Sequence, residues 1–512
     1  MEAFYFFFYL PLLILVLHIL TDQILHKLRN LPPTPFPAIP FLGHLYLLQE
    51  PAHVYLSKLA KKYGPVFSLK LGRVHVVVVS SPLAAGDCFV KNDINFANRP
   101  RFLYGKYFGN DYTSLVWSPY GQRWRNLRRI STIEIFSSNK IQSLSAIRAD
   151  EVHSLIRKLF RVTVEDPGRL ADMRTACFDL TFNVMTRMIA GKRYYGENVE
   201  NSKEAKAFHE ILNGITELTP KASMLDFLPF MRWFGANGVE NQMKIVQERR
   251  DTFMQDLIDE HRKIDYDSGI KNKTMMKVLL ALQETDHDYY SDESIKYLMA
   301  ELLQAGSDTT ASTMEWAMAH LIDNPNLLQK AQAEIDDVVG QERLIAENDL
   351  PRLPYIRCII NETLRLHPAS PLLVPHETSE ACIVEGFKIP AKTVIFVNAW
   401  DIHRNPKYWD DPEKFMPERF EGLELGGGNG GKAEELKFIP FGSGRRGCPG
   451  SNLAMHVLGL ALGSLIQCFN WEIENGKFMD LSEGIGAPTY KAQPLEAKCY
   501  PRSNMLKLLS HL

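Results

Sequence analysis

Phe441-Gly-Ser-Gly-Arg-Arg-Gly-Cys448-Pro-Gly450 is the stretch from which the rest of the sequence is best read. Its three glycines before the cysteine let the backbone turn sharply and come close to a flat cofactor. Pro449 suits the first turn of a helix, whose N-terminal dipole favours a negative sulfur. Arg446 stands two residues before the cysteine, in reach of an anionic group on such a cofactor. A thiolate that ligates iron has to be kept deprotonated and moderated by donors aimed at its sulfur, and these residue types supply both. The other six cysteines (Cys88, Cys177, Cys358, Cys382, Cys468 and Cys499) show no CxxC pair and no regular spacing. That argues against a disulfide framework and a structural zinc site, and leaves them as buried small hydrophobes.

Around this stretch the chain has 512 residues, 45% hydrophobic and 23% charged, enough for a large core. Lys plus Arg total 58 against 60 Asp plus Glu, a net of −2, so no global field favours nucleic acid. Ala3 to Thr21 carries no charge and is about as long as a bilayer-spanning helix. With Lys27 and Arg29 just after it, the run predicts a retained membrane anchor over residues 1–24 and a cytosolic body. The sequons at Asn272 and Asn361 then face the wrong compartment. Residues 25–41 include Leu31-Pro-Pro-Thr-Pro-Phe-Pro-Ala-Ile-Pro40, a stiff extended hinge, and residues 42–512 form the catalytic body.

Val66 to Leu71 and Val74 to Val79 are β-rich runs broken by Gly72-Arg73, which predicts a hairpin. Helical periodicity dominates from about Pro82 to Leu366. A second β-rich patch lies at Ile389 to Asn398, and the last 20 or so residues suggest another hairpin. The fold class is therefore mainly α with a smaller β region. Gly426-Gly-Gly-Asn-Gly-Gly-Lys432 lacks the Ser or Thr of a phosphate loop and reads as a surface insertion.

Residues 441 to 450 resemble the haem-binding signature of the cytochrome P450 superfamily, Phe-x-x-Gly-x-x-x-Cys-x-Gly, at every fixed position. The resemblance covers essentially the whole chain from Leu31 onward and implies haem b held by Cys448, with Phe441, Gly442 and Arg446 around it. Glu362-Thr-Leu-Arg365 shares one helical face. By resemblance it locks onto Arg419 of Pro417-Glu-Arg-Phe420 as a structural triad behind the haem. Ala305-Gly-Ser-Asp308-Thr309-Thr310 lies within a predicted helix from about Ser291 to Asp323, capped by Ser291 and ended by Asn324-Pro325. Gly306 and the hydroxyls would weaken the helical ladder there and open a groove. An acid beside an alcohol can relay protons, and the resemblance assigns Asp308 and Thr309 to O–O cleavage. It also implies that Trp124, Arg128 and His376 hold a haem propionate. Arg123, Arg125 and Arg129 form a local basic patch for an acidic electron donor, or a solvated helix face.

The chain looks like a plant enzyme of the A-type group, most similar to family 81 in Ser118-Pro-Tyr-Gly-Gln-Arg-Trp-Arg and Leu372-Leu-Val-Pro-His-Glu377. That resemblance implies a monooxygenase of the endoplasmic reticulum membrane that takes O2 and electrons from NADPH through a separate cytochrome reductase. Its substrate would be a small apolar or phenolic metabolite of flavonoid, isoflavonoid, lignan or xanthone type. The implied pocket includes Phe102, Phe108, Ala305, Leu372, Leu373 and Ile485. Oxidative ring closure on the same site is an alternative. An O2-independent isomerase or a haem-binding sensor are rivals that the Asp308-Thr309 pair disfavours.

Overall fold

The computed structural model describes residues 26–196, 202–234, 237–263, 274–287, 290–423, 436–474, 478–486 and 488–512, with Leu13, Thr21 and Ile24. The expected anchor and the Gly-rich stretch thus lie outside the described residues, those three positions apart. Eleven of the described helices have eleven or more residues: α1 Ala52–Tyr63, α2 Gln122–Glu134, α3 Ser145–Glu165, α4 Met173–Ala190, α5 Ser202–Phe227, α6 Asn237–Lys263, α7 Met275–Thr285, α8 Asp292–Asp323, α9 Pro325–Val338, α10 Pro354–Leu366 and α11 Ser451–Cys468. Two short sheets and a two-stranded ribbon complete the architecture.

α8 is the axle. Ser291 caps it by accepting from the Ser294 N–H, Asp292 and Glu293 complement its dipole, and Asn324-Pro325 stops it. Its second half is enclosed on every side: every residue from Thr310 to Ile322 is buried, Glu315 paired with Arg174 among them. Gly306 lets α4 come close, since a Cβ there would sit 2.6 Å from Met185 Sδ. α11 is long and apolar enough to cross a membrane, yet most of it is buried as a core helix.

The first sheet runs β1 (Val66–Leu71), β2 (Val74–Val79), β7 (Val394–Val397), β4 (His376–Glu377). Leu71 pairs with Val74 across the predicted Gly72-Arg73 turn, and β2 runs parallel to β7. The ribbon joins β5 (Cys382–Val384) to β6 (Phe387–Ile389). The second sheet orders β3 (Ala171–Asp172), β9 (Glu496–Pro501) and β8 (Phe469–Glu472). Here the expectation of a terminal hairpin needs correction. The last residues supply one strand, β9, which pairs with the distant β8, and the chain ends in a helical turn at Leu506–Leu509. A true turn occurs just before it, where Gly484 N bonds Tyr490 O and Ala492 N bonds Ser482 O.

The proline-rich segment lies along β1. Ser68 donates its N–H to Pro33 O and its hydroxyl to Pro32 O, while His44 and Tyr46 bond Pro35 O and Pro37 O. Prolines lack donors, so these carbonyls are satisfied by side chains and by the edge of the sheet. Asn361 is buried in α10.

Candidate active site

Cys448 sits at the end of a tight backbone loop. Gly442 and Gly444 have φ of +67° and +69°, and a Cβ on Gly444 would meet Asp93 Oδ1 at 2.5 Å and Phe89 O at 2.8 Å. Cys448 N closes the loop onto Phe441 O at 2.9 Å, and α11 starts three residues later. Burial pushes the Cys448 thiol up, opposed by the Gly450 N–H, the Arg128 charge and the Ser451 N–H. Of the seven cysteines it alone is exposed. Because protein encloses it on all sides, that exposed surface faces an internal cavity.

The cavity holds about 300 Å³ and separates the cysteine loop from α8. Ala305, Gly306, Thr309 and Thr313 line it from α8, one helical turn apart or adjacent. Thr309 Oγ1 donates to Ala305 O at 2.6 Å. The helix itself runs unbroken, so the expected groove is not a gap in the ladder: Gly306 is used up by the approach of Met185. Leu373, Phe441 and Gly442 also line the cavity.

One end of the cavity is strongly basic. Arg128 and Trp124 enter from α2, Arg446 from the cysteine loop, and His376 from β4. Arg446 lies over the Trp124 ring at 4.5 Å and donates to the carbonyls of Ala97, Leu115 and Ser118. His376 uses Nδ1 on Phe96 O at 2.7 Å. Arg99, which the sequence reading did not single out, lines the same end and donates to Val374 O and Pro375 O at 2.8 Å each. Its only sequence signal is the run Asn98-Arg-Pro-Arg101, where nothing but depth separates it from Arg101. Burial lowers Arg99, Arg128 and Arg446, the last to about 9.

Three guanidiniums, buried Arg99 and half-buried Arg128 and Arg446, against one acid in the lining, Glu301, make this end costly unless an anion joins them. Glu301 accepts from Ser114 Oγ at 2.5 Å and Val116 N at 3.2 Å, and burial raises it to about 7. A flat group bearing carboxylates, with a thiol beneath and a hydroxyl above, fits this donor set, which is the chemistry of haem.

Other expected site residues lie elsewhere. Asp308 is not in the lining; Tyr490 Oη lies 3.2 Å from its Oδ1, and burial raises it to about 6. Phe102 packs edge-on against Phe227 and joins the sheet-side core with Leu372, while Phe108 is buried against Tyr104. Ile485 is 69% exposed at the tip of the turn before β9. Phe102 and Phe108 therefore support the wall without reaching the cavity. Leu372 and Leu373, neighbours in sequence, turn to opposite sides.

The triad residues meet. Glu362 accepts from Arg365 Nε at 2.7 Å and Nη2 at 2.8 Å, from Arg419 Nε at 3.0 Å and from Met416 N at 2.8 Å. Arg365 also donates to His403 O and Pro412 O. His403 in turn bonds Arg365 O and accepts from Ile439 N at 2.9 Å, two residues before Phe441. In the basic patch Arg125 and Arg129 are exposed, whereas Arg123 turns inward to Thr113 O.

The family model described as Cytochrome P450 matches residues 32–495. The chain is 46% identical to Cytochrome P450 81Q32 of Catharanthus roseus, covering 98% of each chain. It is 44% identical to the (+)-piperitol/(+)-sesamin synthase CYP81Q2 of Sesamum radiatum over 94% of this chain and 93% of that one. It is also 44% identical to an isoflavone 3'-hydroxylase of Medicago truncatula over 95% of both. Among solved structures, a zebra fish cytochrome P450 with progesterone superposes with a TM-score of 0.75 at 26% identity, covering 89% of this chain and all of that one.

Proposed function

This chain belongs to the cytochrome P450 family and is a haem monooxygenase, and on that premise we propose that it hydroxylates a small phenolic plant metabolite of flavonoid, isoflavonoid or lignan type. The observation that carries the reading is Cys448, the one exposed cysteine, presented to an enclosed cavity opposite Thr309. The names of the isoflavone hydroxylase and the sesamin synthase support the substrate class.

When bound, haem supplies the iron at which O2 is activated with two electrons from outside the chain. In this reading Cys448 would be its protein ligand, and the Gly450 and Ser451 N–H groups favour the ionised sulfur against the burial that pushes the thiol up. Arg128, Trp124, Arg446 and His376, with Arg99, would hold the cofactor's carboxylates. Phe441 and Gly442 pack beside the sulfur. Thr309 holds a proton at Oγ1 on the substrate side, and Asp308 resupplies it. Ala305 and Leu373 crowd the substrate toward Thr309 and exclude water.

Electrons come from NADPH through a separate reductase, which the exposed Arg125, Arg129 and Arg445 suit as an acidic partner. The protein sits on the cytosolic face of the endoplasmic reticulum membrane, anchored by residues 1–24. Its exposed apolar residues support membrane contact: Phe41 is 82% and Trp233 86% exposed. The Gly72-Arg73 turn bonds both Leu42 O and Phe227 O, which brings the segments that lead to these two residues together.

The test is reconstitution with a reductase and NADPH on a panel of isoflavones, flavones and lignans, reading products by mass. Gain of one oxygen is the expected result. Loss of two hydrogens would favour ring closure, the reading that the sesamin synthase relative supports. Turnover without NADPH or O2 would overturn both.

A further inference from the structure

The turn between Ser482 and Ala492 is fastened along one side of α8 at successive turns of the helix. Tyr490 Oη lies 3.2 Å from both the carbonyl oxygen and Oδ1 of Asp308. Ser312 donates to Thr489 O at 2.7 Å, and Trp316 Nε1 donates to the same carbonyl at 2.9 Å. Residues 308, 312 and 316 are therefore one stripe of α8, and 305, 309 and 313, which line the cavity, are the next. Asp308 and Thr309 adjoin in sequence but project about 100° apart around the helix. The acid is held on the turn, while the alcohol faces the cavity.

We propose that Tyr490 is a positioning residue for Asp308: its phenol holds the carboxylate against the C-terminal turn, so that Asp308 serves the cavity only when this hydrogen bond lets go. The proposal rests on the reading of Asp308 as proton supplier. A hydroxyl donated to a carboxylate favours the ionised form, working against the burial that raises Asp308. The groups around the pair are few. Arg174, from α4, stacks over the Tyr490 ring at 5.0 Å while paired to Glu315 at 3.1 Å, and Tyr104 faces Asp308 from the segment before α2. A cation over the phenol ring makes it a better donor, so Arg174 strengthens the hold. Among the described residues the phenol's other partner is the Asp308 carbonyl oxygen, and the turn is also fastened by Ser312, Trp316 and the Thr489 N–H to Ala369 O.

Infrared titration of the holoenzyme tests this, with the Asp308 carbonyl band identified by its loss in Asp308→Asn. Tyr490→Phe is expected to raise the midpoint of that band by about one pH unit, the scale of one hydrogen bond to a charged group. The corresponding limb of the turnover pH profile is expected to move with it. Ser312→Ala removes a neighbouring fastening and is expected to leave the midpoint in place. An unmoved midpoint in Tyr490→Phe, or an equal shift in Ser312→Ala, overturns the proposal and makes Tyr490 a fastener alone. If Asp308→Asn leaves turnover and its pH profile unchanged, the reading of Asp308 as proton supplier fails instead, and the infrared shift still decides whether Tyr490 holds it.

Discussion

The Glu362–Arg365–Arg419 cluster and the cavity above Cys448 are both buried and both charged, but only one is complete. Glu362 accepts four donors, and Arg365 divides its own between Glu362 and backbone carbonyls, with neither side chain exposed. At the basic end of the cavity three guanidiniums face a single acid that burial keeps half-neutral near pH 7. A closed cluster whose carboxylate and guanidiniums are hydrogen-bonded to one another and to backbone carbonyls can only hold the fold together, whereas an excess of one sign left open to a cavity calls for a partner. The difference separates the part of the molecule that supports the chemistry from the part that performs it.

The sharpest way to break this division is Cys448→Ala. It is expected to abolish the long-wavelength Soret band of the reduced, CO-bound protein and all turnover while leaving far-ultraviolet circular dichroism intact; a surviving band would remove the cysteine from the open region altogether. Glu362→Ala belongs to the closed region and is expected to cost about 3–5 kcal/mol in denaturant unfolding, because it strands two guanidiniums. Asp308→Asn is expected to lower kcat on the order of a hundredfold with unchanged unfolding midpoint, measured by product formation against oxygen uptake.

The closed region also has a pH signature. Burial and the Arg365 charge lower His403 from 6.5 to about 3, and its neutral ring accepts from Ile439 N. Between pH 6.5 and 3 the unfolded chain binds this proton and the folded one does not. Stability is therefore full above 6.5 and falls with acid by at most about 1.4 kcal/mol per pH unit. His403→Gln should flatten that slope in unfolding measured across the window. The smallest effect is expected at Lys330, which is exposed and paired with Glu418 and Glu421 beside Arg419: mutation to Ala should change stability by only about 0–1 kcal/mol.

Much of this was legible in the sequence where the cause is local. Ser291 and Asn324-Pro325 mark the ends of α8, and Gly72-Arg73 marks the β1–β2 turn, because caps and turns are made by the residues themselves. The cysteine loop was legible for the same reason. β9 was misread because its partner, β8, lies more than twenty residues earlier and leaves no periodic trace in the last strand. The pocket was legible for two of its six expected residues. Ala305 and Leu373 reach it, but Phe102, Phe108, Leu372 and Ile485 do not, since the direction of a side chain in irregular backbone is set by tertiary packing. Arg99 went unnoticed because burial alone distinguishes it, and burial is a property of the fold.

One stretch of chain answers to two masters. Ala97, Leu115 and Ser118 give their carbonyls to Arg446, while Ser114 and Val116 give their donors to Glu301. Anyone recombining this enzyme with its relatives inherits that bond pattern as a single unit. A crossover placed between residues 118 and 301 would pair one parent's stretch with the other parent's central helix and cysteine loop. Only crossovers before residue 97 or after residue 446 keep the unit whole.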